Sequence, residues 1–184
     1  MPITRELVKK VCLIGDPAVG KTSLIRRFVL DQFDDSYLST IGAKVTKKVR
    51  TVELPQQNLR VNLTLMIWDV AGQREYHQFH EMYLRGMEGV LSVGDLTRPA
   101  TLESMKRSLS LVAKHAGEAP VLFLLNKVDL VDPASVDLTE VYELAKEKRI
   151  PVVPTSAKTG LNVEKAFDML SSMMVNQWLG ARRG

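Results

Sequence analysis

The chain has 184 residues, 45% hydrophobic and 25% charged, with a net charge of +4 and a single cysteine. Such a length fits one domain, here taken as 1–184, and the even composition excludes low-complexity, collagen-like and disulfide-framework classes. No apolar run approaches the roughly 20 residues that cross a bilayer, and the start, MPITRELVKK, lacks the apolar core of a signal peptide, so a cytoplasmic place is expected.

Along the chain, apolar stretches and breakers alternate in a βα rhythm. LVKKVCLIG (7–15) reads as a strand entering a glycine-bounded loop, and KTSLIRRFVL (21–30) as a helix with one apolar face. Cys12, inside the run VCLI, reads as a buried, inert thiol in a reducing compartment. Residues 43–53 and 59–68 alternate and are rich in β-branched residues, parted by LPQQN, and read as a hairpin. MEGVLSVGD (87–95) and PVLFLLNKVD (120–129) are compact runs typical of buried parallel strands, with IPVVPTS (150–156) a weaker one. Segments 100–116, 138–148 and 162–178 have helical spacing, with Thr101 or Asn162 as candidate caps. The pattern predicts an α/β fold whose mostly parallel sheet carries helices on both faces, with ligands at the carboxyl ends of the strands.

Basic residues gather at Lys9 and Lys10, along Lys44, Lys47, Lys48 and Arg50, and at Arg182 and Arg183. With aromatics at 6% and no dense basic stripe, nucleic acid is not an expected partner. The cations read as solvated faces, with peripheral contact to an anionic membrane as the other reading. His77, His80 and His115 show no metal-ligand spacing.

Gly15-Asp16-Pro17-Ala18-Val19-Gly20-Lys21-Thr22 fits GxxxxGK[ST] between a predicted strand and helix. Such a loop wraps phosphates with backbone N–H groups, and the helix N-terminus adds its positive end. Gly20 permits close approach, Lys21 reaches the β- and γ-phosphates, and Thr22, followed by Ser23, offers a hydroxyl to Mg²⁺. Asp69-Val70-Ala71-Gly72-Gln73 follows a strand. Asp69 suits Mg²⁺ ligation through water, Gly72 can present its N–H to the γ-phosphate, and Gln73 can hold the attacking water. Thr40, in a polar stretch before the hairpin, is the candidate that closes the Mg²⁺ shell when the γ-phosphate is present.

Asn126-Lys127-Val128-Asp129 ends the strand VLFLL. The Asp129 carboxylate can accept from the ring N–H and exocyclic amine of guanine, an arrangement adenine lacks, so the predicted base is guanine. Asn126 would tie loops together and the Lys127 stem would lie along the base. In Ser156-Ala157-Lys158 the Ala157 N–H can meet the guanine carbonyl.

With these motifs in order, the chain resembles the Ras superfamily of small GTPases over roughly 7–178, and within it the Rab-type branch, through WDVAGQ, TIG at 40–42 and DLTRPATLE at 95–103. The resemblance implies a three-layer P-loop G domain: a six-stranded sheet, five strands parallel and one antiparallel at the edge, with five helices. It implies switch I near 32–42 and switch II near 69–82. Phe33 would pack against the guanine and Tyr37 would lid the phosphates. Trp68 and Tyr83 match two of three effector-facing aromatics, the third position being Val45. An effector, an exchange factor and a GTPase-activating protein are the implied partners, for a monomer. Four departures stand out: Pro17 in the phosphate loop, a longer hairpin over 43–68, QREY in switch II, and a tail, WLGARRG, without the cysteine of a prenyl anchor.

The expected function is a switch that binds GTP or GDP with Mg²⁺ and hydrolyses GTP slowly, since no arginine lies in 37–42 to act as an internal finger. A GTP-loaded scaffold with little hydrolysis is the alternative, hinted at by Pro17. A P-loop ATPase or small-molecule kinase is disfavoured by Asp129 and Ala157.

Overall fold

The computed structural model describes residues 1–35, 40–72 and 77–182, with side chains left aside at 77–80. Among the described residues, strands and α-helices follow one another as β1 (Ile3–Ile14), α1 (Lys21–Leu30), β2 (Ala43–Leu54), β3 (Leu59–Val70), α2 (His77–Leu84), β4 (Gly89–Asp95), α3 (Pro99–Ala116), β5 (Val121–Asn126), α4 (Thr139–Lys148), β6 (Val152–Thr155) and α5 (Val163–Ala181). They form a six-stranded sheet in the order β2-β3-β1-β4-β5-β6. Only β2 runs antiparallel to its neighbour, at the edge.

The two faces of the sheet follow from strand alternation. Val11 and Leu13 join Leu24, Ile25 and Phe28 of α1 and Phe167, Leu170 and Met174 of α5 in one cluster. Cys12 and Ile14 point the other way, into a cluster with Leu84 of α2, Leu102, Met105 and Val112 of α3, and Val141 and Ala145 of α4. Every residue of β4 and β5 is buried, as in strands covered on both sides. On the first face the Phe28 and Phe167 rings stack at 3.9 Å. Arg50 crosses from the edge strand to α5 and pairs with Glu164 and Asp168.

Three local expectations are corrected. β1 begins at Ile3 rather than Leu7, because its polar first turns pair in parallel with β3 from Ile3↔Leu59 onward. Thr101 does not cap α3. The helix starts with Pro99, which has no N–H to satisfy, and the Thr101 hydroxyl instead accepts from the Asp95 N–H at 2.8 Å and donates to the Arg98 carbonyl at 2.8 Å. Asn162 occupies the cap position of α5 at φ 57°, but its amide donates to the Pro154 carbonyl at 2.8 Å.

The parallel strands end together at Ile14, Val70, Asp95, Asn126 and Thr155, so the loops that leave them gather along one edge of the sheet. Among the described residues no helix is long and apolar enough to cross a membrane.

Candidate functional site

At that edge lies a cleft of about 720 Å³. Its walls bring together Pro17, Ala18, Gly20, Lys21, Thr22 and Ser23 with Phe33, Thr40, Asp69 and Gly72, and with Asn126, Lys127, Asp129, Ala157 and Lys158. Gly15, Val19 and Ser156 stand just behind, Val19 and Ser156 being fully buried. Tyr37 and Gln73 lie outside the described residues.

The segment 15–20 leaves β1 and turns into α1 without a side-chain cap, so the first-turn N–H groups of α1 are left for something in the cleft. Gly20 makes the turn possible: its φ is 104°, and a Cβ there would sit 2.3 Å from Asn126 Nδ2. Lys21, 7% exposed, donates to the carbonyls of Gly15 at 2.8 Å and Asp16 at 2.9 Å. Burial lowers its pKa to about 8, with Asp69 and Asp16 pulling the other way.

Beside it, Asp69 is 3% exposed and accepts the Thr22 hydroxyl on Oδ2, while Thr22 and Thr40 Oγ1 stand 3.0 Å apart. Asp69 Oδ1 is buried with no hydrogen-bond partner. Burial pushes the carboxyl pKa up, opposed by the Thr22 bond and by Lys21 and Lys44. An orphaned carboxylate oxygen is costly in a native fold, and with two hydroxyls beside it the donor set is the all-oxygen kind that Mg²⁺ takes. The residues fit that ion. Gly72 packs on the loop so closely that a Cβ would lie 2.6 Å from the Gly15 carbonyl and 2.7 Å from Pro17 N.

At the other end, Asn126 is 1% exposed and joins three loops. Its amide donates to the Val19 carbonyl at 2.9 Å and its oxygen accepts from Thr155 at 3.1 Å and from the Ala157 N–H at 3.3 Å. The Ala157 N–H is therefore directed at Asn126, by a long bond, and not left free toward the cleft. Lys127, at φ 71°, donates to the Ala18 carbonyl at 2.9 Å and pairs with Asp95 at 2.7 Å. Asp129 accepts the Ser156 hydroxyl at 2.6 Å, which holds its carboxylate at the cleft wall. Phe33 is half-buried against the α1–α5 core while lining the cleft.

Sequence reading missed three residues here. Arg27 of α1 donates to the carbonyls of Ala157 at 2.9 Å and Lys158 at 2.6 Å, and so ties the base-side loop to the helix that starts at Lys21. Asp95 and Arg98 fasten the phosphate loop from behind. Both lie in DLTRPATLE, but contacts spanning 81 to 131 residues leave no local spacing to find.

On the outer side of the sheet, Val45 lies opposite Trp68 in the β2–β3 ladder, and the Trp68 and Tyr83 rings are 6.3 Å apart. Lys10 Nζ sits 4.0 Å over the Trp68 ring. His115 Nε2 is buried without a hydrogen-bond partner, 3.8 Å from Glu81. No cluster of metal-ligating side chains of His, Cys, Asp and Glu occurs among the described residues.

Comparison with known proteins agrees with this geometry. A sequence model of the Ras family matches residues 10–176. The chain is similar to Ras-related protein Rab-10 of Diplobatis ommata, 38% identical over 165 residues that cover 89% of this chain and 80% of that one. It is 36% identical to the GTP-binding protein YPTM1 of Zea mays over 94% of this chain and 81% of the relative. To Ras-related protein RABD1 of Arabidopsis thaliana it is 40% identical, over 86% and 75%. A family match over nearly the whole chain, Rab-named relatives above 35% identity and a six-stranded sheet with its single antiparallel edge converge: the chain belongs to the Ras family of small GTPases.

Proposed function

We propose that the protein is a guanine-nucleotide switch that binds GTP or GDP with Mg²⁺ and hydrolyses GTP slowly. One observation carries the reading: a single cleft joins the loop 15–22 to Asp129, and between them leaves Asp69 Oδ1 buried and partnerless. Loop N–H groups and the start of α1 receive the phosphates, and Lys21, with two of its three N–H donors on the Gly15 and Asp16 carbonyls, offers them the third. Asp129, steadied by Ser156, accepts from the guanine edge, and Phe33 and the Lys127 stem flank the base. Thr22, Thr40 and Asp69 (through water) would hold the ion, which would neutralise charge on the phosphates.

Gln73 orients the water for in-line attack, and Lys21 and the loop N–H groups stabilise the charge that develops. Loss of the γ-phosphate releases Thr40 and Gly72, and with them switch I (32–42) and switch II (69–82), whose state an effector reads. An exchange factor and an arginine-supplying activator complete the cycle, the latter worth about 10³–10⁵ in rate. The setting is cytoplasmic, with the basic residues as solvated faces and peripheral contact to an anionic membrane as the other reading.

The GTP-loaded scaffold is favoured by one observation: Pro17 lines the cleft and abuts Gly72, one residue before the water-positioning Gln73. Binding is tested by displacement of labelled GDP in Mg²⁺ buffer. GTP should displace it and excess ATP should not, and Asp129→Ala should erase that preference. Displacement by ATP from the wild type would refute the role of Asp129.

A further inference from the structure

A trans peptide unit points its C=O and N–H in opposite directions. A loop that aims its N–H groups inward at phosphates must therefore hold its carbonyls outward, against something. Here five successive carbonyls each accept from a side chain: Gly15 and Asp16 from Lys21, Pro17 from Arg98 at 2.7 Å, Ala18 from Lys127 at 2.9 Å and Val19 from Asn126 at 2.9 Å. Lys21, Lys127 and Asn126 belong to the nucleotide motifs already described. Arg98 does not.

Its guanidinium is held from behind. Asp95, fully buried at the end of β4, accepts Arg98 Nε at 3.0 Å and the Lys127 ammonium at 2.7 Å on Oδ2, and the Thr97 N–H and hydroxyl on Oδ1. Burial works to raise the Asp95 pKa, but the bonds from Lys127, Thr97 and Arg98 outweigh it and hold the carboxyl below the usual carboxylate range. One buried anion thus aims two cations at two adjacent carbonyls. The residue between the two carbonyls is Ala18, a non-glycine at φ 61°, a conformation that needs outside support. Pro17 adds to the need, since it has no N–H of its own to offer a phosphate.

We propose that Arg98, oriented by Asp95, is a further positioning residue of this site: by pinning the Pro17 carbonyl outward it aims and polarises the Ala18 N–H toward the terminal phosphates of the bound nucleotide. A cation on a carbonyl strengthens the donor at the other end of the same peptide, so the effect is on phosphate binding and not on the base. The proposal rests on the guanine-nucleotide reading above.

The test compares GDP with GMP, which shares the base and ribose but lacks the outer phosphate. Arg98→Ala should weaken GDP binding about tenfold, the order of one charge-assisted hydrogen bond, while GMP affinity stays unchanged. Arg98→Lys keeps a cation beside Asp95 but cannot fork to both partners; it should lie between, and it decides the matter if the alanine variant fails to fold. Equal weakening of GDP and GMP, or no change in either, overturns the proposal. Wild-type protein that binds neither GDP nor GMP instead overturns the underlying reading, and the proposal with it.

Discussion

Gly72 shows how little room single residues have at this site. Any side chain there would press on the backbone of Gly15, Asp16 and Pro17, none of which is a flexible side-chain end that could swing aside. Gly72→Ala should therefore push the 69–72 segment off the loop and weaken GTP relative to GDP about tenfold, read by competition against labelled GDP. An unchanged ratio of the two affinities would mean that Gly72 plays no part in sensing the third phosphate. Cys12 makes the opposite point. It is fully buried, and burial pushes its thiol up to about 12, so hardly any thiolate forms near neutral pH. The native protein should resist a disulfide reagent at pH 8 and react fully once denatured. The Asp69–Thr22–Thr40 group stands between these cases, with one carboxylate oxygen buried and partnerless beside two hydroxyls.

Among the elements, α5 carries the first face of the sheet. Phe167 is 1% exposed and stacks on Phe28 of α1, the helix that begins at Lys21. Phe167→Ala should cost roughly 3–5 kcal/mol, seen as a lower urea midpoint with unchanged slope. Most elements were legible because each had a local cause. The α1 range 21–30 followed from its apolar face and the loop before it, and β4 and β5 from their unbroken apolar runs. What escaped depends on partners far along the chain. The first residues of β1 alternate weakly and become strand only because β3 lies alongside. The caps went wrong for a related reason: the Thr101 and Asn162 side chains found better partners in Asp95, Arg98 and Pro154 than in their own helices. In the site, the motifs stood out by their spacing, and the structure brings most of the motif residues it describes to the wall of one cleft, with Gly15, Val19 and Ser156 behind it. Arg27 and Arg98 were not, because their bonds go to backbone carbonyls, which sequence patterns do not record, and Asp95 was not, because it acts through the Arg98 and Lys127 cations it holds.

For the whole molecule, the loops from β1, β3 and β5 and the turn after β6 form one network with the cleft at its centre. Asn126 links Val19 to Thr155 and Ala157, so the loop after β1 and the turn after β6 are mechanically joined. The oxygen cluster at Asp69 is part of the same wall, and chelation of Mg²⁺ should therefore release bound GDP at least about tenfold faster, followed by fluorescence of a labelled nucleotide. Release at the same rate with and without the ion would remove Asp69 from the account. The central claim, a guanine-specific and slowly hydrolysing switch, is tested most directly by single-turnover cleavage of Mg²⁺–GTP by the purified protein in excess ATP. The account predicts slow phosphate release that ATP does not inhibit and that Gln73→Leu suppresses without loss of GTP binding. Tight GTP binding with no cleavage by the wild type, or cleavage that ATP competes away, would contradict it.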